Sequence, residues 1–464
     1  TGNDKDGLIE IRRGLDDLSL GKDRYAQVRI LVDNDKYLKG MCAYSDDIPD
    51  GVDVVFNTNK DSSVPFEKVL KGVKKDADGN IDLTNPFGAS IKPIDEGGQY
   101  YYKDKNGNEQ LGLINKVRGQ GDWSEWSKAL PSQFLGKQPM KLIEKQLNEK
   151  YQNDLEEYQD IMNLTNPTVK KKLLKEFSDN CDTAAVHLKA AALPGQQYHV
   201  MIPINSLKEN EVYAPGYKDG TKLALIRYPH AGTFEIPILT VNNKDKLGEK
   251  VIGKSSNSML DAVGVTKSVA ERLSGADYDG DTVMVIPDAD KLGIKSTDRL
   301  RGLENFDPSM EYGTTEVTRI NKNGEKIKEY ITADGRKIKP INEQYKQNQM
   351  GVVSNLITDM TLIGASREDL EKAVRHSMVV IDAEKHKLDW KRSEIDNDIA
   401  RLKRDYQIKV DDEGNYTYGG ASTLLSRAKS DIHIPKRQGQ GYINSKYING
   451  RLNPRYNPDI PEGE

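Results

Sequence analysis

Three aspartates fall within five residues, at Asp277, Asp279 and Asp281, directly before the apolar run "TVMVIP" at 282–287. An extended strand places alternate side chains on one face, and a tight loop converges them on one point. Either way, three neighbouring carboxylates repel one another unless a cation neutralises them. Gly280, inside the cluster, permits the backbone conformation that a convergent loop requires. Magnesium takes oxygen ligands, most often carboxylates together with substrate phosphates. Two such ions activate an attacking hydroxyl and stabilise a leaving oxygen in phosphoryl transfer. "TVMVIP" then reads as a buried strand that holds the loop rigidly.

Two plainer readings compete. An EF-hand calcium loop puts glycine sixth and a bidentate acid twelfth, whereas here glycine is fourth in "DYDGD" and a strand follows. An ordinary acidic turn is the other. The chain holds three such turns, "DADGN" at 76–80, "DKNGN" at 104–108 and "DDEGN" at 411–415, each between hairpin-like segments. "DYDGD" between "SGA" and "TVMV" is the more specific pattern.

A chain of 464 residues is long enough for roughly three domains and a sizeable core. The expected class is α+β. Residues 1–136 are β-rich with a hairpin insert, 137–183 form a helical connector, and 184–290 are β-rich and end in the aspartate loop. Residues 291–342 hold a second hairpin insert, 343–406 have helical spacing, and 407–464 form a basic tail. The net charge of −4 neither demands nor excludes nucleic acid, because the placement of positive charge decides that. Cys42 and Cys181 form no zinc or disulfide pattern, so a reducing cytoplasm is expected. No apolar run approaches the ~20 residues of a membrane span, and no signal peptide is visible. A phosphate-cradling G-x-x-x-x-G-K-[ST] loop and a nucleophile elbow are both missing.

"GADYDGDTVMV" at 275–285 resembles the metal loop of two-barrel RNA polymerases. That superfamily includes the large subunits of cellular RNA polymerases, the cell-encoded RNA-dependent RNA polymerases of RNA silencing, and single-chain phage and prophage enzymes (YonO-like and crAss-like). The resemblance implies two double-psi β-barrels joined by a helical connector and followed by a bridge-helix-like segment. It also implies that Asp277, Asp279 and Asp281 bind catalytic Mg2+, with Mn2+ as a substitute. "IRYPHAGTFEI" at 226–236 resembles the arginine-x-proline element that precedes this loop, which implies that Arg227 positions the incoming nucleotide at its ribose. "YLKGMCAY" at 37–44 and "VFNTNK" at 55–60 resemble the lysine elements of the partner barrel, which implies that Lys39 and Lys60 approach substrate phosphates and the RNA 3′ end. "DGLIEI" at 6–11 resembles the opening of this region in silencing polymerases. "MGVVSNLITDM" and "HSMVVIDAEKHKLDW", between 350 and 390, look like the following helices, with Lys385 or Lys387 pointing at the active centre.

The expected function is template-directed addition of ribonucleotides to an RNA 3′ end. The compact size favours a DNA-directed enzyme of phage origin, placed in host cytoplasm or virion; the alternative is an RNA-dependent RNA polymerase. The expected partners are template DNA or RNA, the RNA product and ribonucleoside triphosphates. No membrane partner is expected, and the sequence sets no oligomeric state. From other classes, an inactive nucleic-acid-binding relative and a calcium-binding β-protein compete, the first opposed by the intact aspartates and lysines. Any single lysine is ordinarily a solvated charge, and Arg227 also suits a salt bridge at a strand end. His376 and His386 read as structural or surface residues. From Arg427 to Arg455 seven basic residues face one acid, Asp431, with Tyr442 and Tyr447 interspersed. That pattern suits nucleic-acid contact or a solvated terminus.

Overall fold

The computed structural model describes residues 6–410, apart from 57–68, 90–98, 124–128, 255–260, 321–325 and isolated positions (83, 104, 108, 131, 187–188, 229, 274 and 304–305), and beyond them 416–418, 447–448 and 451–452. The first β-rich block contains β1 (Ile9–Ile11), β2 (Tyr25–Val32), β3 (Lys36–Tyr44), β4 (Val54–Phe56), β5 (Lys71–Gly72), β6 (Gln99–Lys103) and β7 (Glu109–Gly119). They form one sheet in the order β4-β1-β3-β2-β7-β6, with β5 added to β3. β2 and β3 make a hairpin, turned by Asp33 and Asn34 at φ 51 and 59. Asp and Asn are the residues that tolerate this left-handed conformation best after glycine. β1 lies parallel to β3, so this sheet is mixed.

After β8 (Ala129–Leu130) and α1 (Ser132–Leu135), the connector is two long helices, α2 (Met140–Met162) and α3 (Pro167–Val186). β9 (Ala190–Ala191) pairs back to β8. The second block holds β10 (Gln197–Pro203), β11 (Glu211–Val212), β12 (Lys222–Ile226), β13 (Ile238–Val241), α4 (Lys246–Val251), β14 (Ala262–Val265), α5 (Lys267–Arg272) and β15 (Thr282–Ile286). Its strands run in the order β11-β13-β12-β15-β10-β14. The two edges meet where Tyr213 and Gly264 exchange backbone hydrogen bonds of 2.9 and 2.8 Å, so the sheet closes into a barrel.

Strand period explains how this barrel feeds two cores. Along β15, Val283 and Val285 enter the interior with Leu223, Leu225 and Tyr278. Met284 and Ile286 face outward onto Phe134 and Leu135 of α1 and Leu142 of α2. "TVMVIP" lacks polar alternation because both of its faces are covered. A third cluster joins the two sheets: Leu8, Tyr25, Met41, Ala43 and Trp123 pack against Val200, Ile202, Tyr213 and Ala262. Within it the buried Asp261 accepts the Tyr25 hydroxyl and the Trp123 backbone N–H, both at 2.8 Å.

The chain continues through α6 (Pro308–Tyr312) and a small sheet, β16 (Thr314–Ile320), β17 (Lys326–Thr332) and β18 (Lys337–Ile338). α7 (Glu343–Ile363) and α8 (Arg367–His386) follow, then α9 (Trp390–Asp396) and α10 (Ile399–Gln407). Gly364, at φ 85, ends α7, and Ser366 caps α8 by accepting the Asp369 N–H. Leu356, Met360, Leu370, Val374 and Leu402 form their shared core. Among the described residues no helix is long and apolar enough to cross a membrane.

Candidate active site

The loop between α5 and β15 brings Asp277, Asp279 and Asp281 together, with one carboxylate oxygen of each lying within 4.8 Å of the others. Gly280 makes this turn at φ 112, a conformation closed to other residues at low cost. Tyr278 points the opposite way, into the barrel, where its hydroxyl donates to the Val265 carbonyl at 3.2 Å. The loop also closes on itself, because the Asp277 N–H donates to the Asp281 carboxylate at 3.1 Å. The Met201 N–H donates to the Asp281 carbonyl at 3.0 Å, tying the loop to β10.

The first sheet grips this loop from the far side. The Met41 N–H of β3 donates to the Tyr278 carbonyl at 2.8 Å. The Gln27 side-chain amide of β2 donates to the Asp279 carbonyl at 2.7 Å. A Cβ at Gly40 would press on the Ile9 side chain of β1 at 3.1 Å, while the Tyr278 carbonyl would lie at an ordinary contact distance of 3.7 Å. This clamp sets Lys39, two residues before Met41, against Asp279, and the two form a salt bridge. From the barrel itself, at the end of β12, Arg227 pairs with Asp281 at 3.0 Å.

Burial is the first cause of both shifted ionisations. It raises the Asp281 carboxyl, against which Arg227 acts. It lowers the Lys39 ammonium; Asp277 opposes that, while Arg29, Lys385 and Lys71 add to it as like charges. The chemistry of the donor set fits the group implied by the sequence: three convergent carboxylates, oxygen-only, suit magnesium.

Lys385, in the last turn of α8, is near enough to Lys39 to act on its charge. Lys387 instead ends α8 at φ 53 and pairs with Glu384 at 3.2 Å. Lys60 lies outside the described residues, as does most of the basic tail. His376 is buried and hydrogen-bonded to Ser393 at 3.0 Å, a packing role. "DADGN" is an exposed turn, closed by the Asp76 carboxylate accepting the Asp78 and Asn80 N–H groups. Sequence reasoning missed Gln27 and Arg29. The signal was a hairpin turning at Asn34, which sets Arg29 opposite Lys39.

Residues 264–453, which begin on β14 and include the aspartate loop, match the family model for RNA dependent RNA polymerase. This part of the chain is similar to RNA-dependent RNA polymerases. Over these residues the resemblance to the RNA-dependent RNA polymerases is borne out, and the phage-type relatives are not. The DNA-directed assignment is corrected by the same match, because the matching family copies RNA. The DNA template, transcription and phage origin that accompanied it lose their support. Among solved structures the chain is similar to the RNA dependent RNA polymerase QDE-1 from Thielavia terrestris, with 13% identity and a TM-score of 0.39. That alignment covers 93% of this chain and 47% of that one, so the chain spans about half of that polymerase's length. No curated protein matches it.

Proposed function

We propose that this chain carries the catalytic centre of an RNA-dependent RNA polymerase, adding ribonucleotides to an RNA 3′ end on an RNA template. The observation that supports this most is the convergence of three aspartates from one sheet with Lys39 from the other. In this reading the two sheets are the paired double-psi barrels, 137–183 join them, and α8 is the bridge-like helix. Asp277, Asp279 and Asp281 would hold Mg2+, which supplies activation of the attacking 3′ hydroxyl and stabilisation of the leaving oxygen by a two-metal mechanism.

The chain's own groups do the rest. Lys39 neutralises phosphoryl oxygens, where negative charge spreads in the transition state. Its partial burial strengthens that attraction relative to water. Arg227 presents a planar fork of donors to the ribose or phosphate and holds Asp281 in place meanwhile. Lys385 extends the positive lining, and Lys60 is carried over from the sequence resemblance alone. The hydrogen bonds from Met41 and Gln27 fix the loop so that these groups need not reorganise.

Primer extension on matched RNA and DNA templates, with and without Mg2+ or Mn2+, tests the reading. Metal-dependent extension on RNA is expected. Asp279→Asn should abolish it while circular dichroism stays unchanged. Normal extension by that variant, or synthesis on DNA alone, overturns the proposal.

A further inference from the structure

We propose that Arg29 is a phosphate-binding positioning residue, receiving a phosphate group that enters beside Lys39. The proposal rests on the polymerase reading only for which molecule owns that phosphate.

Arg29 sits directly opposite Lys39 in the β2–β3 pairing, so both side chains leave the same face of the sheet. It is half-buried, and burial pulls its guanidinium below the ordinary range. Among the described residues its side chain makes one hydrogen bond, from Nη1 to the carbonyl of its neighbour Val28, at 2.9 Å. Among the described residues no carboxylate pairs with Arg29, and none pairs with Lys385. Both act as like charges on Lys39. Two of the nearby acids are already engaged, Asp279 by Lys39 and Asp281 by Arg227.

A partly desolvated guanidinium without a counterion is unfavourable, and structures ordinarily pair it. Its flat fork of donors matches the oxygens of a phosphate. The rival reading is structural. Arg29 lies beside Tyr37, whose ring packs edge-on against Phe87 at 5.5 Å, and it could serve only to fill that corner of the sheet.

Arg29→Met and Arg29→Lys separate the two. Thermal melting with and without inorganic tripolyphosphate needs no synthesis, so it reports even if the polymerase reading fails. Wild type should be stabilised by tripolyphosphate. Arg29→Met should melt no lower than wild type without it, lose most of the response, and regain part of it as Arg29→Lys. In primer extension, a KM for ribonucleotide raised about tenfold with kcat nearly kept assigns the phosphate to the nucleotide. If instead RNA affinity falls and its salt dependence flattens by about one unit, the phosphate belongs to the RNA strand. An Arg29→Met protein that melts lower yet keeps the tripolyphosphate response, the KM and the RNA affinity overturns the proposal.

Discussion

Single residues govern the geometry of the aspartate loop, and Gly280 is the clearest case. Any side chain there meets two obstacles: a φ of 112, and the Gln27 amide nitrogen at 2.3 Å from the added Cβ. Gly280→Ala should cost about 1–3 kcal/mol of stability, measured by denaturant unfolding. It should also suppress extension, because displacing Gln27 releases the Asp279 carbonyl. In the proposed reading Lys39 acts through charge. Lys39→Ala should slow nucleotide addition by about a hundredfold, near 3 kcal/mol of transition-state stabilisation, in single-turnover kinetics. A change under about threefold would return it to an ordinary lysine held by Asp279. The sequence singled out both residues, Gly280 by its place in "DYDGD" and Lys39 through the resemblance of "YLKG". Arg29 was not singled out, because nothing in "YAQVRILV" distinguishes its charge from a solvated one.

At the scale of elements, the end of α8 separates two neighbouring lysines that the sequence offered as candidates. Lys385 reaches the Lys39 environment, while Lys387 ends the helix in the left-handed conformation. A non-glycine residue pays about 1–2 kcal/mol for that conformation. Lys387→Gly should therefore stabilise the protein by about 0.5–1 kcal/mol, after the added entropy of the unfolded chain is subtracted. Melting curves check the gain, and extension by this variant should be unchanged. Loss of extension in Lys387→Gly with none in Lys385→Ala would reverse the assignment of the two. The helical periodicity of 343–406 was plain in the sequence. The rotational setting of α8 was not, because the packing of Val374, Val379 and Val380 against neighbouring elements fixes it.

For the whole molecule, buried histidines set the acid limit. Burial pulls His199 and His376 down to about 4, and Lys403 adds to the effect on His376. Their folded values lie below an unfolded value of about 6.5, so the stability they contribute is present above pH 6.5 and is lost as pH falls towards 4. Each is worth at most about 3 kcal/mol. Unfolding free energies at pH 7, 5.5 and 4.5 should fall steadily, and His376→Gln should flatten that slope. An unchanged slope would mean that His376 titrates alike in both states.

The sequence by itself determined the carboxylate cluster, the alternation of β-rich and helical blocks, and the buried character of "TVMVIP", because spacing along the chain encodes which faces are apolar. It also supplied Lys39 and Arg227 as candidates, while its preference for a DNA template was overturned. The tertiary structure decided the rest. Closure of the barrel at Tyr213 and Gly264, the salt bridge between Lys39 and Asp279, and the hydrogen bond from Gln27 to Asp279 all join residues distant in sequence. Such meetings depend on the shared core between the sheets and on backbone hydrogen bonds from Met41 to Tyr278, and no local pattern specifies those.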